Sequence, residues 1–113
     1  MTALGESLLR GENERMAMSK ITVVAKVVAK KESVESVKNK LLKLIAPTRK
    51  EDGCIDYCLH QDNDNPAVFI FYENWKSEEC LARHMDSDHF KNYVRAVDGM
   101  IEAMVVNKMT RIE

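Results

Sequence analysis

Residues 54–75 read CIDYCLHQDNDNPAVFIFYENW, and the fold turns on this stretch. From Cys54 to His60, Ile55, Tyr57 and Leu59 alternate with Cys54, Asp56, Cys58 and His60, the period-two pattern of a strand with two unlike faces. The segment Gln61-Asp62-Asn63-Asp64-Asn65-Pro66 is a turn by composition. Alternation resumes from Ala67 to Trp75, with Val68, Ile70, Tyr72 and Asn74 on one side and Ala67, Phe69, Phe71, Glu73 and Trp75 on the other. Two alternating runs joined by a polar turn predict an antiparallel hairpin.

On the N-terminal side of the hairpin, Glu51-Asp52-Gly53 marks a helix stop, with Gly53 suited to a left-handed cap. Val34, Val37, Leu41, Leu44 and Ile45 recur at helical spacing, Ser33 is a candidate N-cap, and Pro47 is expected to kink or end the last turn. Before that helix, Ile21–Val28 is a β-branched strand that is apolar on both faces. On the C-terminal side, Ser77 caps a short helix that presents Leu81, His84 and Met85. Asp86-Ser87-Asp88 interrupts it, a second helix places Phe90, Tyr93, Val94 and Val97 together, and Met104–Ile112 is a fourth strand.

The predicted order is β-α-β-β-α-β with the second helix split, the ferredoxin-like α+β arrangement. Residues 19–113 form this domain, and residues 1–18, with no sustained period, are expected to be a flexible N-terminal extension. Helices on one side of a four-stranded sheet leave the other face bare. Because most strands are apolar on both faces, the expected remedy is a second copy packed sheet to sheet, a C2 homodimer forming a dimeric α+β barrel.

A formal net charge of −1 with no basic stripe argues against nucleic acid as a partner. No apolar run approaches the roughly 20 residues of a spanning helix, and no export signal is visible, so no membrane association is expected and the expected location is cytoplasmic. The three cysteines, Cys54, Cys58 and Cys80, do not form a disulfide framework. Cys54 and Cys58, read on one face of one strand, stand roughly 13 Å apart, beyond the roughly 7 Å reach of a disulfide. No Cys/His spacing suggests zinc, and His84 and His89, five apart across a helix break, are not read as a metal pair.

Gly53-Cys54, Tyr57, Phe71-Tyr72-Glu73-Asn74-Trp75-Lys76-Ser77, Leu81, His84 and Ser87-Asp88-His89-Phe90 together resemble the antibiotic biosynthesis monooxygenase family, in particular its small quinol monooxygenase-like branch. The resemblance runs over about residues 20–112. It implies a dimeric ferredoxin-like barrel with a pocket between sheet and helices, and oxidation of electron-rich phenols by O2 without metal, flavin or haem. Haem-degrading relatives carry an asparagine on the first strand. Ile, Thr, Val, Ala and Lys stand there instead, which disfavours haem degradation.

The catalytic candidates are His84, Trp75 and Glu73. His84 is a candidate base for a phenolic proton, against the alternative of a hydrogen-bonded core histidine. Trp75 offers a flat wall for an aromatic ligand or, equally, a core anchor. Glu73 shares the Trp75 face and could orient His84 or bind a substrate hydroxyl; an ion pair with a lysine or arginine such as Arg83 is the favoured alternative. Tyr57, Phe71, Tyr72 and Phe90 are candidate substrate-binding residues, and His89 is read as a capping or surface residue. The expected function is a cofactor-independent monooxygenase acting on a quinol or related phenolic or polycyclic aromatic compound. The alternatives are an isomerase of a small hydroxyketone, holding an anionic group near Lys26 or Arg49, and a non-enzymatic small-molecule binding module.

Overall fold

The structure, a computed structural model, describes residues 19–113, so the extension expected over residues 1–18 lies outside the described residues. The elements are β1 (Ile21–Ala29), a 3-10 turn (Lys31–Ser33), α1 (Val34–Arg49), β2 (Cys54–Gln61), β3 (Val68–Trp75), α2 (Glu78–Met85), α3 (Asp88–Ala96) and β4 (Ile101–Met109). The strands form one sheet in the order β2-β3-β1-β4, with every neighbouring pair antiparallel. This is the ferredoxin-like α+β fold predicted from the sequence.

The inner face of the sheet carries the core. Ile21, Val23, Ala25, Val27 and Ala29 of β1 are buried, as are Phe69, Phe71, Glu73 and Trp75 of β3. Val37, Leu41 and Leu44 of α1 close over them, with Leu81 from α2 and Tyr93 from α3. Burial of the Val, Leu, Ile and Phe side chains among these stabilises the fold by about 1.5–3 kcal/mol each. The outer face, with Val24, Ile70, Tyr72 and Val105, has no layer over it among the described residues, and Tyr72 is 44% and Val105 47% exposed.

Four local features differ from expectation. Pro47 does not end α1; the helix runs to Arg49. The last turn is held from outside, because Thr48 is fully buried and the Arg49 guanidinium donates from Nε (3.1 Å) and Nη2 (2.9 Å) to the Tyr57 carbonyl oxygen. Ser33 stands at the N-cap position of α1 as read, but its side chain makes no capping bond, and a 3-10 turn leads into the helix. β4 starts three residues earlier than read and stops at Met109, because Lys30 N–H bonds the Met100 carbonyl (2.8 Å) and the ladder with β1 runs from Ala29↔Ile101 to Thr22↔Met109.

The fourth difference is a bulge in β2. Cys54 pairs with Trp75 and the next pair is Asp56↔Asn74, so Ile55 is an extra residue. The alternation shifts there. Cys54 shares the face of Trp75, whereas Cys58 pairs with Tyr72 on the outer face, so the two thiols do not share a side as the plain alternation implied. All three cysteines are free.

Candidate active site

The interruption of the helix between α2 and α3 builds the site. Ser77 starts α2 by accepting from Cys80 N–H (3.2 Å), and the helix turns Leu81 and His84 inward, where both are buried. At Ser87 one hydroxyl serves both helices: it donates to the His84 carbonyl (2.6 Å) and accepts from Phe90 N–H (3.3 Å) as the N-cap of α3. The tight corner brings His89, in the first turn of α3, round beside His84, with ring centroids 6.0 Å apart.

Between the two imidazoles sits Glu51, from the turn linking α1 to β2. Its Oε2 lies 2.6 Å from His84 Nδ1 and 2.8 Å from His89 Nε2. An ionised carboxylate only accepts, so each ring presents an N–H to it. The turn is closed by Glu51 N–H to the Thr48 carbonyl (3.0 Å) and Cys54 N–H to the Glu51 carbonyl (3.2 Å). It depends on Gly53, at φ 91°, where a Cβ would also collide with Cys80 Sγ. Burial draws the His84 pKa below its ordinary value, and the Glu51 carboxylate works against that shift. His84 Nδ1, His89 Nε2 and a Glu51 oxygen, all within 4.8 Å of one another, are also a donor set for a cation.

Beside His84 lies a narrow, mostly apolar cavity of about 20 Å3, room for little more than one water molecule. Val23, Ala25 and Val27 of β1 form its floor and Leu41 and Leu44 of α1 part of its roof. Tyr57 and Phe71, stacked with centroids 4.3 Å apart, form one aromatic wall, and Phe90 and Tyr93 form another. At the rim are Met85 and Met104, both substantially exposed, because the helices do not extend over β4. The polar groups around the cavity are His84, Glu73 and the hydroxyls of Tyr57 and Tyr93. Tyr93 Oη is buried and has no hydrogen-bond partner among the described residues, a state that costs about 1–3 kcal/mol unless a ligand or water relieves it.

Of the residues singled out from the sequence, the structure gathers His84, Glu73, Tyr57, Phe71 and Phe90 around this cavity. Trp75 does not line it. The indole is fully buried behind His84, centroid to centroid 4.8 Å, so it supports the imidazole from the rear and presents no wall to a ligand. Tyr72 is on the opposite face of the sheet, where the alternation of β3 puts it. Glu73 accepts from Trp75 Nε1–H (2.8 Å); Arg83 instead pairs with Glu79 (3.3 Å) and His84 with Glu51. Burial, against the indole bond, raises the Glu73 pKa to about 7. The Tyr57 hydroxyl is pushed up by burial and by the nearby Glu73 carboxylate, and burial lifts Tyr93 to about 12. Sequence reasoning missed Glu51, read only as part of a helix stop, and assigned His89 to a cap or the surface. Neither residue carries a local signal of its partners, which lie 33 and 38 positions away from Glu51.

A buried imidazole backed by a carboxylate, at the edge of an aromatic-walled cavity under a ferredoxin-like sheet, sits on a chain whose residues 20–96 match the family described as "Antibiotic biosynthesis monooxygenase". The chain belongs to that family. Among its relatives is Rv0793 of Mycobacterium tuberculosis, which carries a provisional monooxygenase name and is 32% identical over 83 residues, 74% of this chain and 81% of its own length. Among solved structures, PA3566 from Pseudomonas aeruginosa superposes with a TM-score of 0.81 at 28% identity, covering 86% of this chain and 98% of its own. A conserved protein from Methanosarcina mazei gives a TM-score of 0.77 at 35% identity, covering 88% and 99%. As an antibiotic biosynthesis monooxygenase family member, this chain places its Tyr57, Glu73, His84 and Trp75 all within the matched segment.

Proposed function

We propose that this family member is a cofactor-independent monooxygenase that oxidises a quinol or related phenol with O2. The observation that carries the reading is His84, buried at the cavity edge with Nδ1 bound to Glu51, so that Nε2 is the nitrogen left to meet a substrate. Glu51 fixes the tautomer and His84 Nε2 takes the phenolic proton. The phenolate is electron-rich enough to reduce O2. One oxygen atom enters the ring and the other leaves as water. All four electrons come from the quinol, which ends as a hydroxylated quinone, so no outside reductant is consumed. The Tyr57 and Tyr93 hydroxyls are donors for a second ring oxygen, and the unsatisfied Tyr93 Oη gains a partner on binding. The cavity is too small for a ring as it stands, so substrate enters by displacing the flexible Met85 and Met104 side chains at the rim.

The isomerase alternative draws less support from the geometry. Lys26 is exposed and pairs in register with Ile70 and Val105 on the outer face, and Arg49 is taken up by the Tyr57 carbonyl. The uncovered outer face is proposed to pack against a second copy of this chain, as the apolar exposure of Tyr72, Val105, Met109 and Ile55 favours. No helix among the described residues is long and apolar enough to cross a membrane.

The test is oxygen uptake after quinols of the menadiol type are mixed with enzyme under nitrogen and then exposed to air. Uptake should exceed the uncatalysed rate and fall by about 10²–10⁴-fold in His84→Gln. A panel of phenols giving no uptake above background would overturn the reading.

A further inference from the structure

We propose that Glu51, His84 and His89 form a binding site for a borderline first-row divalent cation such as Zn2+, and that the ion, once bound, silences the base. Two imidazole nitrogens and one carboxylate converge from three separate segments, with Nδ1 and Nε2 each already aimed at the same oxygen, 2.6 and 2.8 Å away. These are hydrogen-bond lengths. A cation held at about 2.0–2.2 Å from each donor replaces the two protons between rings and carboxylate, and asks the Glu51 oxygen to draw back while the His89 ring closes in.

The parts allow that movement. Glu51 is in a turn, and the His89 side chain is 25% exposed and gives the ion its entry from solvent. The His84 ring is fixed by Trp75 and Phe90, so it is the anchored ligand. The donor set selects the ion. Calcium and magnesium need several oxygens, whereas imidazole suits zinc, copper and nickel. Lys40 and Lys43 line the groove beside His89, which further disfavours ions held by charge alone.

The consequence for activity rests on the quinol reading, but binding does not. With a metal on Nδ1, the neutral His84 ring carries its remaining proton on Nε2, the nitrogen that must accept the phenolic proton. The ion and the base therefore compete for one imidazole.

The experiment uses the full chain, stripped with a chelator and titrated with Co2+ and then Zn2+. One ion per chain should bind, with cobalt ligand-field absorption lacking a thiolate band, and Zn2+ should raise the midpoint of thermal unfolding. His89→Ala and Glu51→Gln should each weaken binding at least about tenfold and abolish the Zn2+ shift, while His60→Ala, on the exposed outer face, changes neither. Circular dichroism of each variant checks folding, and His89→Gln serves as a second, milder replacement. No saturable binding up to millimolar ion, equal affinity in the His89 and Glu51 variants, or a thiolate band placing the ion on cysteine would overturn the site. Oxygen uptake by the metal-free chain should stop once one Zn2+ is bound, and uptake undiminished by bound Zn2+ would overturn the silencing; a chain that binds Zn2+ yet consumes no oxygen even when metal-free would sink the quinol reading and leave the site standing.

Discussion

Glu73 shows how much a single residue can carry. Its carboxyl is buried, bonded to the Trp75 indole, and held to a pKa of about 7 against an ordinary 4.5, chiefly by desolvation. A folded state that holds a proton more tightly than the unfolded chain loses stability as pH rises. Below about pH 4.5 both states are protonated and Glu73 contributes nothing; between there and about 7 the penalty grows; above that it is complete, on the order of 3 kcal/mol at about 1.4 kcal/mol per unit. Glu73→Gln keeps an acceptor for the indole and removes the charge. Urea unfolding of the two proteins should therefore diverge from pH 5 to pH 8, with the variant the more stable at the alkaline end. Parallel curves would refute the assignment. The alternation of β3 put Glu73 and Trp75 on one face correctly, but not their mutual bond, because period-two spacing names a side of the sheet and not a partner.

At the scale of elements, the corner at Ser87 matters most. Its hydroxyl joins the end of α2 to the start of α3, and so sets the separation of His84 and His89. Ser87→Ala should cost about 1 kcal/mol of stability. Denaturant midpoints and the imidazole resonances of His84 and His89 in NMR should both move; unchanged resonances would show that the corner is held by packing alone. The break itself was plain from Asp86-Ser87-Asp88. What it did to the histidines was not, since a turn in the chain can as well separate two side chains as join them. The bulge at Ile55 is the same lesson in a strand, for one extra residue reversed the faces on either side of it, and nothing in CIDYC marks the place.

For the molecule as a whole, the unresolved demand is the bare sheet face. A stable interface buries upward of about 1,000 Å2, and a four-stranded face bearing Val24, Ile70, Tyr72, Val105 and Met109 is a natural source. Sedimentation equilibrium at micromolar concentration should find two copies, and Val105→Lys, in the middle of β4 on that face, should shift the population to monomer without unfolding the sheet. A wild-type monomer would remove the proposed barrel and leave the apolar face to be explained otherwise.

From the chain alone came the strand faces, the order β-α-β-β-α-β, the broken second helix and His84 as the residue to watch. The order, the broken helix and the strand faces outside the β2 bulge follow from periodicity and caps, which act over a few residues and are written locally; His84 was singled out by the family resemblance. Only the folded chain decided that Trp75 stands behind His84 and that His84 and His89 meet at one Glu51 oxygen. Those are contacts between distant segments, fixed by how helices settle on a twisted sheet.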